Sequence, residues 1–231
     1  MQALARPSAL AFACDLRQAC EDRSQQDSVI AANGHLALIA LIGAGPNSAT
    51  TEHALKALVQ LSCDVVASRL ALVQAGVVAP IVALLCTARN PHGVVADAAT
   101  VVQNITMTFA GVQAFQRAGA IPLLASLLSE TPWLASYAAP AMWNLSWNLD
   151  ANKVVNLAEI LEAGAIPPLV ALLHGETACD AAGLLRNLAC NIACSAAIQS
   201  AGGVVPLVAL LHAADADMAE ECVAAALNNM V

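Results

Sequence analysis

The chain has 231 residues, of which 59% are apolar, 11% charged and only 3% aromatic. That much aliphatic side chain builds a large core and excludes a disordered polymer. Nine basic residues against seventeen acidic ones give a net charge of −8. No Lys/Arg cluster is present to meet phosphates, which excludes nucleic acid as a partner.

The β-branched residues are scattered among Ala and Leu rather than alternating with polar side chains, which predicts an all-α chain. At the N-terminus, Arg6 precedes a run from Ala9 to Cys14 that faintly imitates a signal peptide, but the run is short and acidic residues follow at once. Residues 15–19 (DLRQA) then read as part of an amphipathic helix. A first apolar box, AANGHLALIALI at 31–42, is followed by ALVQL at 57–61. The pair recurs as QAGVVAPIVALL at 74–85 with VVQNI at 101–105, and as RAGAIPLLASLL at 117–128 with AMWNL at 141–145. It returns as EAGAIPPLVALL at 162–173 with LLRNL at 184–188, and as SAGGVVPLVALL at 200–211 with ALNNM at 226–230.

The box glycines at 34, 76, 119, 164 and 202 are spaced by 42, 43, 45 and 38 residues, a period of solenoid units with two or three helices each. Glycine takes the positive-φ position that ends a short first helix. Pro80, Pro122, Pro167, Pro168 and Pro206 follow it in the first turn of a second helix, where a missing N–H costs nothing. A polar break and a third, amphipathic helix complete the unit. The third helices carry an amide ladder, Gln60, Asn104, Asn144, Asn187 and Asn229, with Gln18 in the same place near the start.

The Gly-Pro box followed by an Asn-bearing third helix resembles the armadillo repeat over almost the whole chain. In flavour it is similar to the arrays of U-box ubiquitin ligases and vacuolar armadillo proteins. The resemblance implies a right-handed α-solenoid over residues 1–231, a single array. It divides into a partial repeat at 1–25 and repeats at about 26–66, 67–109, 110–151, 152–193 and 194–231. Both ends are expected to fall inside a repeat unit. The resemblance also implies that the third helices line a concave groove, where an amide pairs with the N–H and C=O of an extended peptide.

Positions −7, −4, +3 and +4 from each amide share its helical face. Around Asn144 these hold Tyr137, Pro140, Trp147 and Asn148, and all three Trp and the one Tyr fall within 133–147. Tyr137, Asn144 and Trp147 are therefore expected to form the sharpest contact patch, while Trp143 lies about 100° away from Asn144 and is expected to pack inward. Pro140 is expected to kink its helix or disturb its packing. Elsewhere the −7 row holds His53, Asp97, Asp180 and Cys222, and the +4 row holds Asp64, Thr108 and Asn191. The acidic members point to a basic ligand segment, although an acid near a helix N-terminus also complements the dipole.

The importin-α arrangement, with Trp four residues before each Asn, is absent: Lys56, Thr100, Pro140, Gly183 and Ala225 stand there. No Walker, GxSxG or HExxH motif appears, and Cys190 and Cys194, although spaced i, i+4, have no further ligand close in sequence. Asn104-Ile-Thr and Asn144-Leu-Ser match the glycosylation pattern but lie inside predicted helices. The expectation is a non-enzymatic protein-binding scaffold without cofactor or metal. Its partner is a protein or peptide, and its location cytoplasmic or nuclear. The substrate-recognition segment of a larger ubiquitin ligase is the alternative, and an importin-α-like cargo adaptor is disfavoured. The most apolar stretches, 72–86 and 154–174, are interrupted by Gly, Pro and polar residues, so no membrane span is expected.

Overall fold

A computed structural model describes residues 8–43, 48–146, 152–211 and 217–230. The described residues form sixteen α-helices and no strand. The opening helix α1 (Ala9–Glu21) precedes five triplets. These are α2 (Arg23–Ala31), α3 (Gly34–Ile42) and α4 (Ala49–Cys63); α5 (Val66–Gln74), α6 (Val78–Leu84) and α7 (His92–Ile105); then α8 (Phe109–Arg117), α9 (Ala120–Glu130) and α10 (Pro132–Ser146). The last two are α11 (Asn152–Glu162), α12 (Ile166–Leu172) and α13 (Ala178–Ala189), followed by α14 (Ile192–Ser200), α15 (Val204–Leu211) and α16 (Asp217–Asn229). The first helix of the first triplet starts at Arg23, so a repeat boundary drawn at 25/26 lies within α2. Two compact units divide the chain, Met1–Ala114 and Phe115–Val231.

The first and second helices meet almost at a right angle, 88° between α5 and α6 and 87° between α14 and α15. Glycine makes that corner possible. Gly76, Gly119, Gly164 and Gly202 have φ between 72° and 82°, and the next N–H reaches back five residues, as from Val77 to the Leu72 carbonyl at 3.2 Å. In the first triplet the left-handed residue is Asn33, at φ 59°, and not Gly34. Asn tolerates this region through its short polar side chain. Asn33 therefore stands in the box register, 43 residues before Gly76, and Gly34 serves another purpose. A Cβ on Gly34 would sit 2.7 Å from Val29 Cγ1 and one on Gly203 2.8 Å from Ile198 Cγ2, a tight approach of first to second helix in both triplets. The box prolines fall in the first turns of α6, α9, α12 and α15 as the spacing predicts.

Within the first unit the third helices pack in a row, α1 on α4 and α4 on α7. The second unit repeats the pattern with α10 on α13 and α13 on α16. Their buried faces are small and aliphatic, as with Ala54, Leu58 and Leu61 on α4 or Ala181, Leu184 and Leu188 on α13. Small side chains let neighbouring third helices approach closely: a Cβ on Gly183 would lie 2.6 Å from the Trp143 indole. Trp143 is accordingly half-buried between α10 and α13. Helix α10 continues through Pro140 to Ser146, and the proline leaves the Ser136 carbonyl without its usual i+4 donor.

In three of the five triplets a polar side chain on the first helix closes the end of the preceding third helix. Gln26 donates from Nε2 to the Cys20 carbonyl at 2.8 Å. Arg69, only 6% exposed, donates from Nε to the Ser62 carbonyl at 2.7 Å and from Nη2 to the Cys63 carbonyl. Asn156, fully buried, donates to the Leu145 carbonyl at 2.7 Å while its Oδ1 has no partner. These buried caps answer the unpaired carbonyls that every helix C-terminus presents.

Candidate functional site

The amides of the ladder all stand on third helices, but they are not equivalent. Gln60 and Asn229 are exposed, Asn104 and Asn144 half-buried, and Asn187 is buried at 4% exposure. Asn104 donates from Nδ2 to the Ser62 hydroxyl at 3.1 Å, with the Val59 carbonyl also in range at 3.4 Å. Asn187 makes the same bond to Ser146 Oγ at 2.8 Å. Each serine in turn donates to a carbonyl of its own helix, Ser62 to Val59 at 2.9 Å and Ser146 to Trp143 at 2.6 Å. The amide of one repeat is thus tied to a hydroxyl two residues beyond the amide of the repeat before. Asn187 is corrected on this point: 4% exposed and bonded to Ser146, it is a buried strut between α10 and α13 rather than an open groove contact.

This strut was half-visible in the sequence. Ser146 is the hydroxyl of the Asn144-Leu-Ser glycosylation pattern, and it serves as an internal acceptor. Thr106, of Asn104-Ile-Thr, is 4% exposed and donates to the Val102 carbonyl at 2.7 Å. A hydroxyl two residues after the amide, at Ser62, Thr106 and Ser146, was the signal to read.

The ladder still leaves chemistry available. A carboxamide has two N–H donors and an oxygen with two lone pairs. The bonds from its nitrogen to Ser62 and Val59 fix the orientation of Asn104 and leave its oxygen unused, so the group is pre-set rather than free to rotate.

The +4 residues Asp64, Thr108 and Asn191 are engaged within the chain. Asp64 pairs with Arg23 Nη2 at 2.8 Å. Thr108 Oγ1 accepts from Gly111 N at 3.1 Å, and Asn191 Oδ1 accepts from Ala193 N at 2.9 Å, so both cap the next first helix. That cap also separates Cys190 from Cys194, which lie on either side of the α13–α14 junction and share no helix face.

The −7 row is different. Asp97 and Asp180 are half-buried, and neither has a hydrogen bond or a salt bridge to its carboxylate among the described residues. Burial pushes the Asp97 carboxyl above its ordinary range, opposed by Lys56 and reinforced by Glu52, and burial alone does the same to Asp180. Asp180 has therefore lost water without gaining a cation, while at Asp97 the charge of Lys56 offsets part of that loss. His53 Nδ1 is buried without a partner, and Cys222 is buried.

Tyr137 is half-buried on α10 and makes an edge contact with Trp133, ring centroids 5.3 Å apart at 70°. Asn144 is engaged and half-buried. Trp147 and Asn148 lie outside the described residues, so the contact patch expected around Asn144 is described only for Tyr137 and Asn144. Among the described residues no group of three or more His, Cys, Asp or Glu is placed to hold a metal. No single helix there is long and apolar enough to cross a membrane.

No protein-family model and no curated relative matches the sequence. Solved structures do. A computationally designed armadillo repeat protein for modular peptide recognition superposes with TM-score 0.81 at 24% identity, over 94% of this chain and 91% of the other. This chain has an armadillo-repeat fold. A structural-genomics engineered protein gives TM-score 0.81 at 28% identity, over 94% and 88%. A designed armadillo repeat protein in complex with the peptide (KR)4 gives 0.78 at 24% identity, over 97% and 92%. The armadillo expectation, the all-α solenoid and the helical-repeat scaffold therefore stand.

Proposed function

We propose that the chain is a non-enzymatic scaffold that holds an extended peptide segment of a partner along its third helices. The observation that carries this reading is the Asn104 amide, held through its nitrogen to Ser62 and Val59 of the preceding repeat while its oxygen accepts no hydrogen bond among the described residues. Third helices spaced by about 8–10 Å match about three residues of an extended chain at about 3.3 Å each. Asn104 and Gln60 in the first unit, and Asn144 and Asn229 in the second, are the rungs that remain accessible enough to contact it.

The ligand is a basic segment. Asp97 and Asp180 are desolvated and unpaired, so a Lys or Arg side chain beside either one removes a cost already present in the free protein. The (KR)4 complex of a structurally similar designed armadillo protein supports the same chemistry. The cytoplasm or nucleus, where such segments occur free on partner proteins, is the compartment we assign to it.

Titration calorimetry with an eight-residue alternating Lys-Arg peptide tests both levels. Asp97→Asn and Asp180→Asn should each weaken binding about five- to tenfold, an effect that falls with added salt. Asn104→Ala should weaken basic and neutral peptides alike. Binding untouched by either aspartate change removes the basic-ligand reading, and binding untouched by Asn104→Ala removes the amide-ladder reading.

A further inference from the structure

Pro140 has no part in the amide ladder, yet it changes what α10 presents. It stands inside the helix, and a proline has no N–H, so the Ser136 carbonyl one turn back lacks its helical donor. The pyrrolidine ring also crowds that oxygen. Ser136 and Pro140 are both half-buried, and the Ser136 hydroxyl is spent on the Trp133 carbonyl at 2.7 Å. A carbonyl acceptor is thus left open on this side of α10.

What faces that oxygen follows from register. Helices α10 and α13 pack in the same register as α4 and α7, since Asn187 reaches Ser146 as Asn104 reaches Ser62. On α4, the residues eight and four before the ladder amide are Glu52 and Lys56, and both bear on the carboxylate of Asp97, seven before the amide of α7. The same rule holds between α13 and α16, where Cys179, eight before its amide, bears on Cys222, seven before. Between α10 and α13 these places hold Ser136 and Pro140 on one helix and Asp180 on the other. Proline therefore stands where Lys56 stands beside Asp97. Asp180 loses that cation and faces a bare carbonyl instead. No side chain among the described residues donates to the Ser136 carbonyl or to the Asp180 carboxylate. Two acceptors on facing helices, one of them charged, lack the donor that would join them.

We propose that the space between Ser136 and Asp180 is a lysine subsite, in which a ligand ammonium donates both to the Asp180 carboxylate and to the Ser136 carbonyl. The inference rests on the basic-segment reading above and sharpens it to one residue type at one rung. An ammonium carries three rotatable N–H donors set tetrahedrally, which suits acceptors on two different helices. The planar fork of a guanidinium suits a single carboxylate better. Trimethylation of that lysine keeps its charge and removes every donor. The subsite therefore separates free from trimethylated lysine, a distinction that charge alone does not make.

Titration calorimetry with an octalysine peptide and its fully trimethylated counterpart, at matched salt, tests this. The wild type should bind octalysine about tenfold more tightly. Pro140→Ala returns an N–H to the Ser136 carbonyl without removing a charge, and a helix accepts the alanine readily. It should weaken octalysine about three- to tenfold and leave the trimethylated peptide within about twofold. Asp180→Asn should weaken both peptides. A wild type that binds the two peptides alike overturns the proposal. Equal losses for both peptides in Pro140→Ala do so too, because a straightened helix would then reshape the groove for any ligand. Octalysine binding untouched by Pro140→Ala but lowered by Asp180→Asn also removes the subsite, and it leaves the basic-segment reading standing. Indifference of both peptides to Asp180→Asn removes that reading at this rung and the subsite with it.

Discussion

The junctions between repeats and the ladder along the third helices use polar side chains in opposite ways. At the junctions, Gln26, Arg69 and Asn156 are buried, and what they donate goes to carbonyls at the end of the helix before. On the ladder, Asn104 gives its nitrogen to Ser62 and Val59 of the neighbouring repeat and keeps its oxygen. In a chain with 11% charged residues, the few polar groups are divided between closing helix ends and presenting a surface. The difference teaches where substitution should harm folding and where it should harm recognition.

The largest effect is expected at Arg69. Its guanidinium sits at the negative end of the α4 dipole and bridges two carbonyls of the helix end. Arg69→Met should cost about 2–4 kcal/mol, because it leaves buried carbonyls unpaired, with urea unfolding followed by circular dichroism as the measure. Asn156→Leu should cost about 1 kcal/mol or less: its Oδ1 is already without a partner, so the loss of one bond is offset by the relief of one buried polar atom. If the two substitutions cost the same, the junction caps are not set by satisfied carbonyls, and the contrast with the ladder collapses.

A smaller effect should separate two rungs that make the same hydrogen bond. Asn187→Ala should destabilise by about 1–2 kcal/mol, since Ser146 and its surroundings are buried. Asn104→Ala should cost about half of that, because water can replace the amide at a half-buried site. Peptide affinity should show the reverse order, with Asn104 mattering more. A variant pair in which stability and affinity fall together would merge the structural and recognition roles that the burial difference keeps apart.

These two regions were unequally legible from the residues. The Gly-Pro boxes and the amide ladder repeat at a fixed period, and their positive φ values, first-turn prolines and third-helix placement follow from local backbone chemistry. The exception is instructive: Gly34 looked like the box glycine, yet Asn33 takes the left-handed position and Gly34 makes room for Val29. The junction caps repeat in place but not in residue type, since Gln, Arg and Asn all reach a carbonyl from different lengths of side chain. No period reveals them. The burial of Asn187 was hidden for a related reason: helical phase gives the face a residue occupies, while the packing of Trp143 over Gly183 between α10 and α13 decides how deep that face lies.

His35 gives the last and smallest test, and it asks whether a buried polar group without a carbonyl to cap behaves like the junction residues. It lies on α3, 7% exposed, with Nδ1 buried and unpartnered. Burial pushes its pKa below the ordinary value of 6.5. The unfolded chain then binds a proton that the folded chain refuses, so stability is fully present above about pH 6.5 and falls as pH drops through the folded pKa. Asp97, Asp180 and Glu159 act in the opposite sense, because burial raises their carboxyls and protonation relieves that cost as pH falls. Those carboxyls persist unchanged in His35→Gln, so comparison with the wild type isolates the imidazole. Thermal unfolding between pH 7.5 and 5.5 should show a decline in the wild type that is flatter in the variant. Equal slopes would mean that the imidazolium finds an acceptor on protonation, as Arg69 does with its two carbonyls, and that α3 belongs with the capped junctions after all.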